Sequence, residues 1–186
     1  MRLIVLLPLI LIVAGCDRQN QPAPQANATA PTSAVQPGAG LDRSHQGQAA
    51  PNAVFKDPDG EAVDFKEFRG RPLLVNLWAS WCAPCVKELP TLDALARAHS
   101  ADGSLGVIAV SQDSAPQASV AAFLGTHHIG TLGAYHDPDM KLSSAYDAQI
   151  LPMSVYYDKY GRERWRFVGD LDWTGEKAKA LLSEAR

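Results

Sequence analysis

Hydrophobic and polar residues divide the chain into three parts. Residues 3–13 form a continuous apolar run. Residues 17–50 consist mainly of Gln, Ala, Pro, Asn, Thr, Ser and Gly, and such a segment buries too little apolar surface to offset the entropy lost on ordering. Apolar residues recur at regular spacing only from about residue 51. We therefore expect a linker up to residue 50 and one folded domain over residues 51–186.

The pattern within that domain predicts alternating strands and helices. Residues 73–79 are almost continuously apolar, as expected of a strand that is covered on both faces. Residues 83–99 carry apolar side chains at helical spacing, and Pro90 should kink that helix. The other predicted elements are a hairpin around residues 57–60, strands at 105–110, 134–135, 153–157 and 163–167, and helices at 118–126, 140–146 and 174–185. This order predicts an α/β fold whose mixed central sheet has helices on both faces.

Composition limits the classes of function. A chain of 186 residues that is 46% hydrophobic and 20% charged is long enough for one core of ordinary size plus appendages. The formal net charge of -3 provides no basic surface of the kind that neutralises phosphates, so we expect no nucleic-acid partner. We expect the domain to be a monomer.

The N-terminal apolar run has the length of a signal-peptide core. Its eleven residues are too few to span a bilayer, which needs about 20. Residues 13–16, Val-Ala-Gly-Cys, resemble the lipobox of bacterial lipoproteins. This resemblance implies that residues 1–15 are a signal peptide and that Cys16 becomes the lipid-modified first residue of the mature protein. An ordinary secretory signal cut near Gly15 and an uncleaved anchor remain open.

Asp17 follows the cysteine that we expect to be lipid-modified. In enterobacterial lipoproteins an aspartate at this position resembles the signal for retention at the inner membrane. The sequence therefore predicts a periplasmic protein that is anchored by lipid to the inner membrane. More than one acyl chain at one residue gives stable anchoring.

The chain has three cysteines, so lipid modification of one leaves a single pair in an oxidising compartment. Cys82 and Cys85 lie where the predicted buried strand gives way to a helix. Unpaired N–H groups and the macrodipole at a helix N-terminus stabilise an anion, so Cys82 is the predicted nucleophile. Cys85, one turn inside the helix, can then resolve a mixed disulfide. Pro84 lacks an N–H and limits the flexibility of the intervening dipeptide.

Three other interpretations of the cysteine pair are chemically possible. A structural disulfide across so short a loop would stabilise the fold little. A zinc site would need two more ligands. A copper(I) site could use both thiolates, with Met153 as a further soft ligand. Dithiol exchange needs neither a metal nor a cofactor, and we expect none.

The run from residue 76 to residue 90, NLWASWCAPCVKELP, resembles the active-site region of the TlpA/ResA/CcmG group of thioredoxin-like proteins. A second motif, residues 150–154, resembles the cis-proline loop of that fold. The resemblance extends from about Ala53 to the C-terminus, and residues 132–137 and 168–173 are most similar to TlpA. It implies a thioredoxin-like fold with an N-terminal hairpin and a central insert, and thiol:disulfide oxidoreductase activity.

The resemblance also implies which residues contact the substrate. Pro152 would be cis, and the backbone of Leu151 would pair with an extended substrate segment. The other implied contacts are the residues around the nucleophile, namely Trp81, Ala83 and Pro84. A trans proline that starts an edge strand is the alternative for Pro152. We expect Trp78 in the core and Trp81 at the rim of the site.

One position departs from cytosolic thioredoxin. Where thioredoxin has a buried aspartate, this chain has Asn76, which cannot accept a proton from Cys85. Another group must therefore act as the base. Water and Glu88 are the candidates, and Glu88 as a solvated helix residue is equally compatible with the sequence.

The family resemblance implies protein substrates that bear disulfides and favours the reductive direction. The similarity to TlpA implies that the targets are proteins of respiratory oxidase copper-centre assembly. Reduction of apocytochrome c and a copper(I)-binding chaperone module are the alternatives. A periplasmic reductant also needs a membrane electron donor, which the resemblance places in the DsbD/CcdA type.

Overall fold

A computed structural model describes residues 40–184, in which eight strands form one sheet. In chain order the strands are β1 (Gly40–Asp42), β2 (Phe55–Lys56), β3 (Ala62–Val63), β4 (Leu73–Trp78), β5 (Gly106–Ser111), β6 (Tyr135–His136), β7 (Met153–Tyr157) and β8 (Glu163–Val168). The α-helices are α1 (Ala83–Ser100), α2 (Gln117–Thr126), α3 (Lys141–Tyr146) and α4 (Glu176–Ser183), and a 3-10 helix covers Phe65–Phe68. Hydrogen bonds order the strands β1-β8-β7-β4-β5-β6-β2-β3.

The predicted apolar strand lies at the centre of this sheet. All six residues of β4 are buried, and the strand pairs in parallel with β5 and antiparallel with β7. Because side chains alternate along a strand, β4 supplies two cores. Leu74 and Trp78 belong to one core, and Val75 and Leu77 belong to the other.

The two cores correspond to the two faces of the sheet. Helices α1, α2 and α4 contribute Leu89, Leu124 and Leu181 to the first core. Helix α3 and the 3-10 helix contribute Leu142 and Phe65 to the second. The predicted α/β class, with a mixed sheet and helices on both faces, is therefore confirmed.

The predicted domain start at residue 51 is too late. Residues 40–50 run along the free edge of β8, where the Gly47 N–H donates to the Glu163 carbonyl at 2.7 Å and the Ala50 N–H to the Gly161 carbonyl at 3.0 Å. Backbone hydrogen bonds rather than buried side chains hold this segment, so it has no hydrophobic pattern that marks it as part of the fold.

The other predicted elements are present in the predicted order. Their ends differ by one or two residues, which is typical of pattern-based boundaries. Helix α1 extends through Pro90 from residue 83 to residue 100. The 3-10 helix was not predicted. It begins after Asp64, whose side chain accepts a hydrogen bond from the Lys66 N–H at 2.7 Å.

Candidate active site

The two cysteines lie between the end of β4 and the first turn of α1. Cys82 is the N-cap of α1, and Cys85 lies in its first turn. The two are joined by a disulfide with a Cα–Cα distance of 5.3 Å. The Cys85 N–H also points at the Cys82 sulfur, at 3.3 Å. The side chain of Cys82 therefore lies among the unpaired N–H groups at the start of the helix, where a thiolate is stabilised.

Exposure distinguishes the two sulfur-bearing residues. Cys82 is 6% exposed and Cys85 is fully buried. The neighbours Ala83 and Pro84 are exposed, and Trp81 is 71% exposed. A partner can therefore approach only Cys82 directly, while Cys85 lies behind it.

The proline loop lies beside the end of β4. The Leu151–Pro152 peptide bond is cis, so the trans alternative is wrong. Met153 pairs with Leu77, and this register places Pro152 next to Trp78, four residues before Cys82. Trp78 is buried, as expected.

The backbone of Leu151 is available for a partner. Within residues 40–184 its N–H and C=O make no hydrogen bond, and the residue is half-buried. By contrast, the carbonyl of Pro152 accepts from the Gly169 N–H at 2.9 Å. An extended peptide could therefore pair with Leu151 without displacing an existing bond.

Glu88 lies one turn beyond Cys85 on α1 and is only 3% exposed. Its Oε1 accepts from the Asn76 side-chain amide at 2.6 Å, and its Oε2 accepts from the Leu171 N–H at 3.0 Å. Burial raises the pKa of Glu88 to about 7, against the lowering effect of these two hydrogen bonds. The alternative of a solvated helix residue is therefore wrong.

Asn76 connects this carboxyl group to the proline loop. Its amide nitrogen also donates to the Ser154 hydroxyl at 3.0 Å, and Ser154 lies two residues after Pro152 in β7. The network joins α1, β4 and β7 inside the first core. Glu88, rather than residue 76, is its titratable member.

Asp113 holds the loop before Cys82 in place, a role that the sequence did not predict. It is buried two residues after the end of β5. Its carboxylate accepts from the Ser80 N–H at 3.0 Å, the Ser80 hydroxyl at 2.8 Å and the Ser111 hydroxyl at 2.7 Å. These bonds fix the loop that leads into Cys82. His136, to which no role was assigned, is buried with Nε2 2.8 Å from the Asp113 carbonyl oxygen. The parallel pairing of β4 and β5 is the signal that could have located Asp113, because both strands end at one edge.

The structure contradicts a role for Met153 as a copper ligand beside the cysteines. Cys82 and Cys85 pack in the first core, whereas Met153 packs in the second, on the other face of the sheet. Within residues 40–184, no group of three or more His, Cys, Asp or Glu side chains is placed to hold a metal ion.

Cys16 and the predicted signal peptide, residues 1–15, lie outside the described residues. No helix in residues 40–184 is both long and apolar enough to cross a membrane.

Comparison with known proteins gives matches over most of the domain. The family model described as Redoxin matches residues 45–182. Thiol-disulfide oxidoreductase ResA of Bacillus thuringiensis subsp. konkukian is 31% identical over 138 residues, which cover 74% of this chain and 75% of that protein.

Solved structures share the fold. StoA from Bacillus subtilis superimposes with a TM-score of 0.58 at 24% identity, covering 73% of this chain and 99% of that one. The pneumococcal exposed lipoprotein thioredoxin Etrx1 from Streptococcus pneumoniae gives a TM-score of 0.60 at 21% identity, covering 70% and 98%. The thioredoxin-like fold expected from the sequence is therefore confirmed.

The raised pKa of Glu88 predicts a pH-dependent stability that Glu88→Gln removes. Between a pH of about 4.5 and about 7, the unfolded chain loses this proton while the folded chain keeps it, so the free energy of unfolding falls as pH rises. We expect the oxidised wild-type protein to lose about 3 kcal/mol across that range relative to Glu88→Gln. Urea unfolding at several pH values measures the difference, with the exposed Glu67→Gln as matched control. Parallel profiles for wild type and Glu88→Gln would contradict the prediction.

Proposed function

From the premise that this chain belongs to the Redoxin family and is a thiol:disulfide oxidoreductase, we propose that it reduces disulfides in other extracytoplasmic proteins. The observation that carries the proposal is the pairing of an accessible Cys82 with a shielded Cys85 at the start of α1, with a buried carboxyl one turn further along. This arrangement supplies a nucleophile, a resolving thiol and a proton acceptor in a row.

The proposed reaction starts from the reduced protein. The Cys82 thiolate attacks one sulfur of the substrate disulfide, and the other substrate sulfur leaves as a thiolate and takes a proton. Cys85 then loses its proton to Glu88, directly or through water, and attacks the Cys82 sulfur. The second substrate sulfur leaves and is protonated. Two electrons pass from the protein to the substrate, one proton comes from Cys85 by way of Glu88 and the other from water, and the Cys82–Cys85 disulfide forms.

Substrate contacts are proposed for the residues around the disulfide. Trp81 offers a large exposed ring, and Ala83 and Pro84 flank the nucleophile. Leu151 would supply backbone hydrogen bonds, and Pro152 would shape the loop that presents them. Recognition of this kind depends on the main chain of the substrate rather than on one side-chain sequence.

We propose as targets the proteins that assemble the copper centre of a respiratory oxidase. Support comes from the likeness of residues 132–137 and 168–173 to TlpA. Apocytochrome c is the alternative target within the same chemistry. The orientation of Met153 away from the cysteines disfavours a copper(I) chaperone that uses it as a third ligand.

The proposed location is the periplasmic face of the inner membrane. It is supported by the signal-like residues 1–15, the lipobox that ends at Cys16, and Asp17. A reductant in an oxidising compartment must be recharged, and we propose a membrane electron donor of the DsbD/CcdA type. Anchoring keeps the protein and that donor in one layer, which raises their effective concentration.

The reductive direction predicts a low reduction potential. Equilibration of the protein with glutathione buffers should give a value below about -200 mV, whereas a strong periplasmic oxidant has roughly -120 mV. A value near that of the oxidant would contradict a reductive function and favour an oxidase or isomerase.

Removal of the resolving thiol should trap the substrate. Cys85→Ser leaves Cys82 able to attack but unable to release its partner, so mixed disulfides should accumulate in cells and be identifiable by mass spectrometry after non-reducing electrophoresis. Cys82→Ser is the matched control and should trap far less. Capture of copper-centre assembly proteins supports the proposed target, and capture of apocytochrome c alone would replace it.

Glu88→Gln should slow the resolving step. A positioned base commonly contributes about 100-fold or more, so release of the second thiol from a preformed mixed disulfide should fall on the order of 100-fold. The wild-type rate should rise with an inflection near pH 7, which Glu88→Gln should lack. Stopped-flow kinetics measures both, with Glu67→Gln as control. An unchanged inflection would assign the proton to another acceptor.

A further inference from the structure

The segment between β8 and α4, residues 169–173, lies against both the proline loop and α1. Its side chains alternate, because Leu171 and Trp173 are buried in the first core while Asp170 and Asp172 are exposed. In an extended stretch of this kind, every second N–H group points in the same direction. The N–H groups of residues 169, 171 and 173 can therefore all bond to neighbours on one side.

Two of these N–H groups bond to different parts of the active site. The Gly169 N–H donates to the Pro152 carbonyl at 2.9 Å, so it fixes the peptide group that directly follows the cis bond. The Leu171 N–H donates to Oε2 of Glu88 at 3.0 Å. One short segment thus holds both the loop proposed to pair with a substrate and the carboxyl group proposed to take the proton from Cys85.

Two further contacts hold the segment against α1. The Trp173 N–H donates to the Thr91 hydroxyl at 3.2 Å. At the surface, Nζ of Lys87 lies 2.8 Å from the carboxylate of Asp170. Residues 87 and 170 each directly precede a residue that forms the buried carboxyl hydrogen bond. The ion pair therefore lies next to that bond, on its solvent side.

Gly169 has a backbone conformation that other residues rarely adopt. Its φ is +106°, and a Cβ added there would have no atom of the other described residues within 4 Å. A side chain at this position is therefore disfavoured by the backbone conformation and not by a clash. For this reason Gly169→Ala disturbs the N–H that Pro152 accepts without filling any space.

The charged and titratable groups that face Glu88 come from two elements. Lys87 and Cys85 are its neighbours on α1, and Asp170 faces it from residues 169–173, whereas Asn76 of β4 is uncharged. Burial raises the pKa of Glu88 most, and the negative charge of Asp170 raises it further. Loss of the Asp170 charge should therefore lower that pKa, and loss of the Lys87 charge should raise it.

We propose that Gly169 and Asp170 are positioning residues for the thiol exchange. They keep the proline loop and the Glu88 carboxyl in a fixed relation, so that a partner paired with Leu151 and the acceptor for the Cys85 proton are aligned for the same reaction. The inference rests on the proposed function, because it takes Glu88 as the proton acceptor and Leu151 as the backbone that docks the substrate.

The role of Gly169 is tested against a glycine with matching geometry. Gly70 also has a positive φ, +97°, has the same free space around it in the described chain, and donates to the Lys159 carbonyl at 2.9 Å at the other end of the sheet. Gly169→Ala and Gly70→Ala should therefore lose similar stability in urea. Only Gly169→Ala should raise the KM for a disulfide-bearing peptide and slow release of the second thiol from a preformed mixed disulfide, each about tenfold. Equal kinetics for the two variants would overturn the role of Gly169.

The role of Asp170 is tested by removing each partner of its ion pair. In stopped-flow kinetics of the resolving step, the pH inflection should move to lower pH in Asp170→Asn and to higher pH in Lys87→Gln. Each variant should also be about threefold slower at high pH, because an exposed pair contributes little energy. The exchanged pair, Lys87→Asp with Asp170→Lys, should recover that rate.

The control for these variants is Lys179→Gln. It breaks the exposed pair of Lys179 with Glu176, whose charged atoms are 2.7 Å apart on α4. This variant should change neither the inflection nor the rate. If Asp170→Asn behaves like Lys179→Gln, the role of Asp170 is overturned.

Dipyridyl disulfide separates this inference from the proposed function. Cys82 attacks one of its sulfurs and releases pyridine-2-thione, and Cys85 then releases the second thione as the Cys82–Cys85 disulfide forms. The wild-type protein, Gly70→Ala and Lys179→Gln should release both at equal rates. Failure of the wild-type protein to release thione would overturn the proposed function itself. Normal release by the wild type, together with unchanged kinetics in Gly169→Ala and Asp170→Asn, would overturn the positioning role alone.

Discussion

Burial of β4 on both faces is the constraint from which the active site follows. A strand whose six residues are all buried must be flanked by strands and covered by helices on each side. Its end is then the first place where the chain regains access to solvent. The N-terminus of α1 begins there with Cys82, whose sulfur lies among N–H groups that the helix cannot satisfy internally.

The neighbours of β4 supply the rest of the site because of their directions. The parallel β5 ends at the same edge and places Asp113 under the loop before Cys82. The antiparallel β7 begins at that edge, which brings Pro152 beside Trp78. Strand pairing therefore brings together three segments that are distant in sequence.

The buried polar network serves packing and chemistry together. Asn76 points into the first core, where unpaired N–H groups would be costly, and Glu88 and Ser154 accept hydrogen bonds from its amide nitrogen. Burial of Glu88 in turn favours its protonated form and brings its pKa to about 7. A carboxyl group in this range can both take and return a proton near neutral pH. The group that completes the core is thus also the one suited to serve Cys85.

Sequence patterns predicted the elements whose side chains are buried. The strand at β4, the helix that follows it and the burial of Trp78 were all accessible from apolar spacing. Strand β1 was not, because its backbone pairs with β8 while its side chains remain largely outside the cores. The orientation of Met153 required the register with Leu77, which spacing along one strand does not provide.

The burial of Glu88 did have a signal in the sequence. Cys85, Leu89 and Leu92 share the buried stripe of α1, and Glu88 lies on that stripe between them. A charged residue on a buried helical face needs a polar partner or a shifted pKa. Its environment, however, depends on Asn76 and Leu171, which come from other parts of the chain.

In the proposed reaction, the exposure of the two cysteines sets the order of attack, and attachment to the membrane sets which partners are nearby. Since Cys85 is fully buried and Cys82 is 6% exposed, the order of the two attacks is set by burial. Main-chain pairing at Leu151 would accept many extended segments and would therefore discriminate weakly among them. When a site selects weakly among sequences, the local concentration of each partner decides which one reacts. Confinement of enzyme and partner to one membrane raises that effective concentration without any new contact. The proposed lipid anchor would therefore compensate for the weak sequence selection expected of main-chain pairing at Leu151.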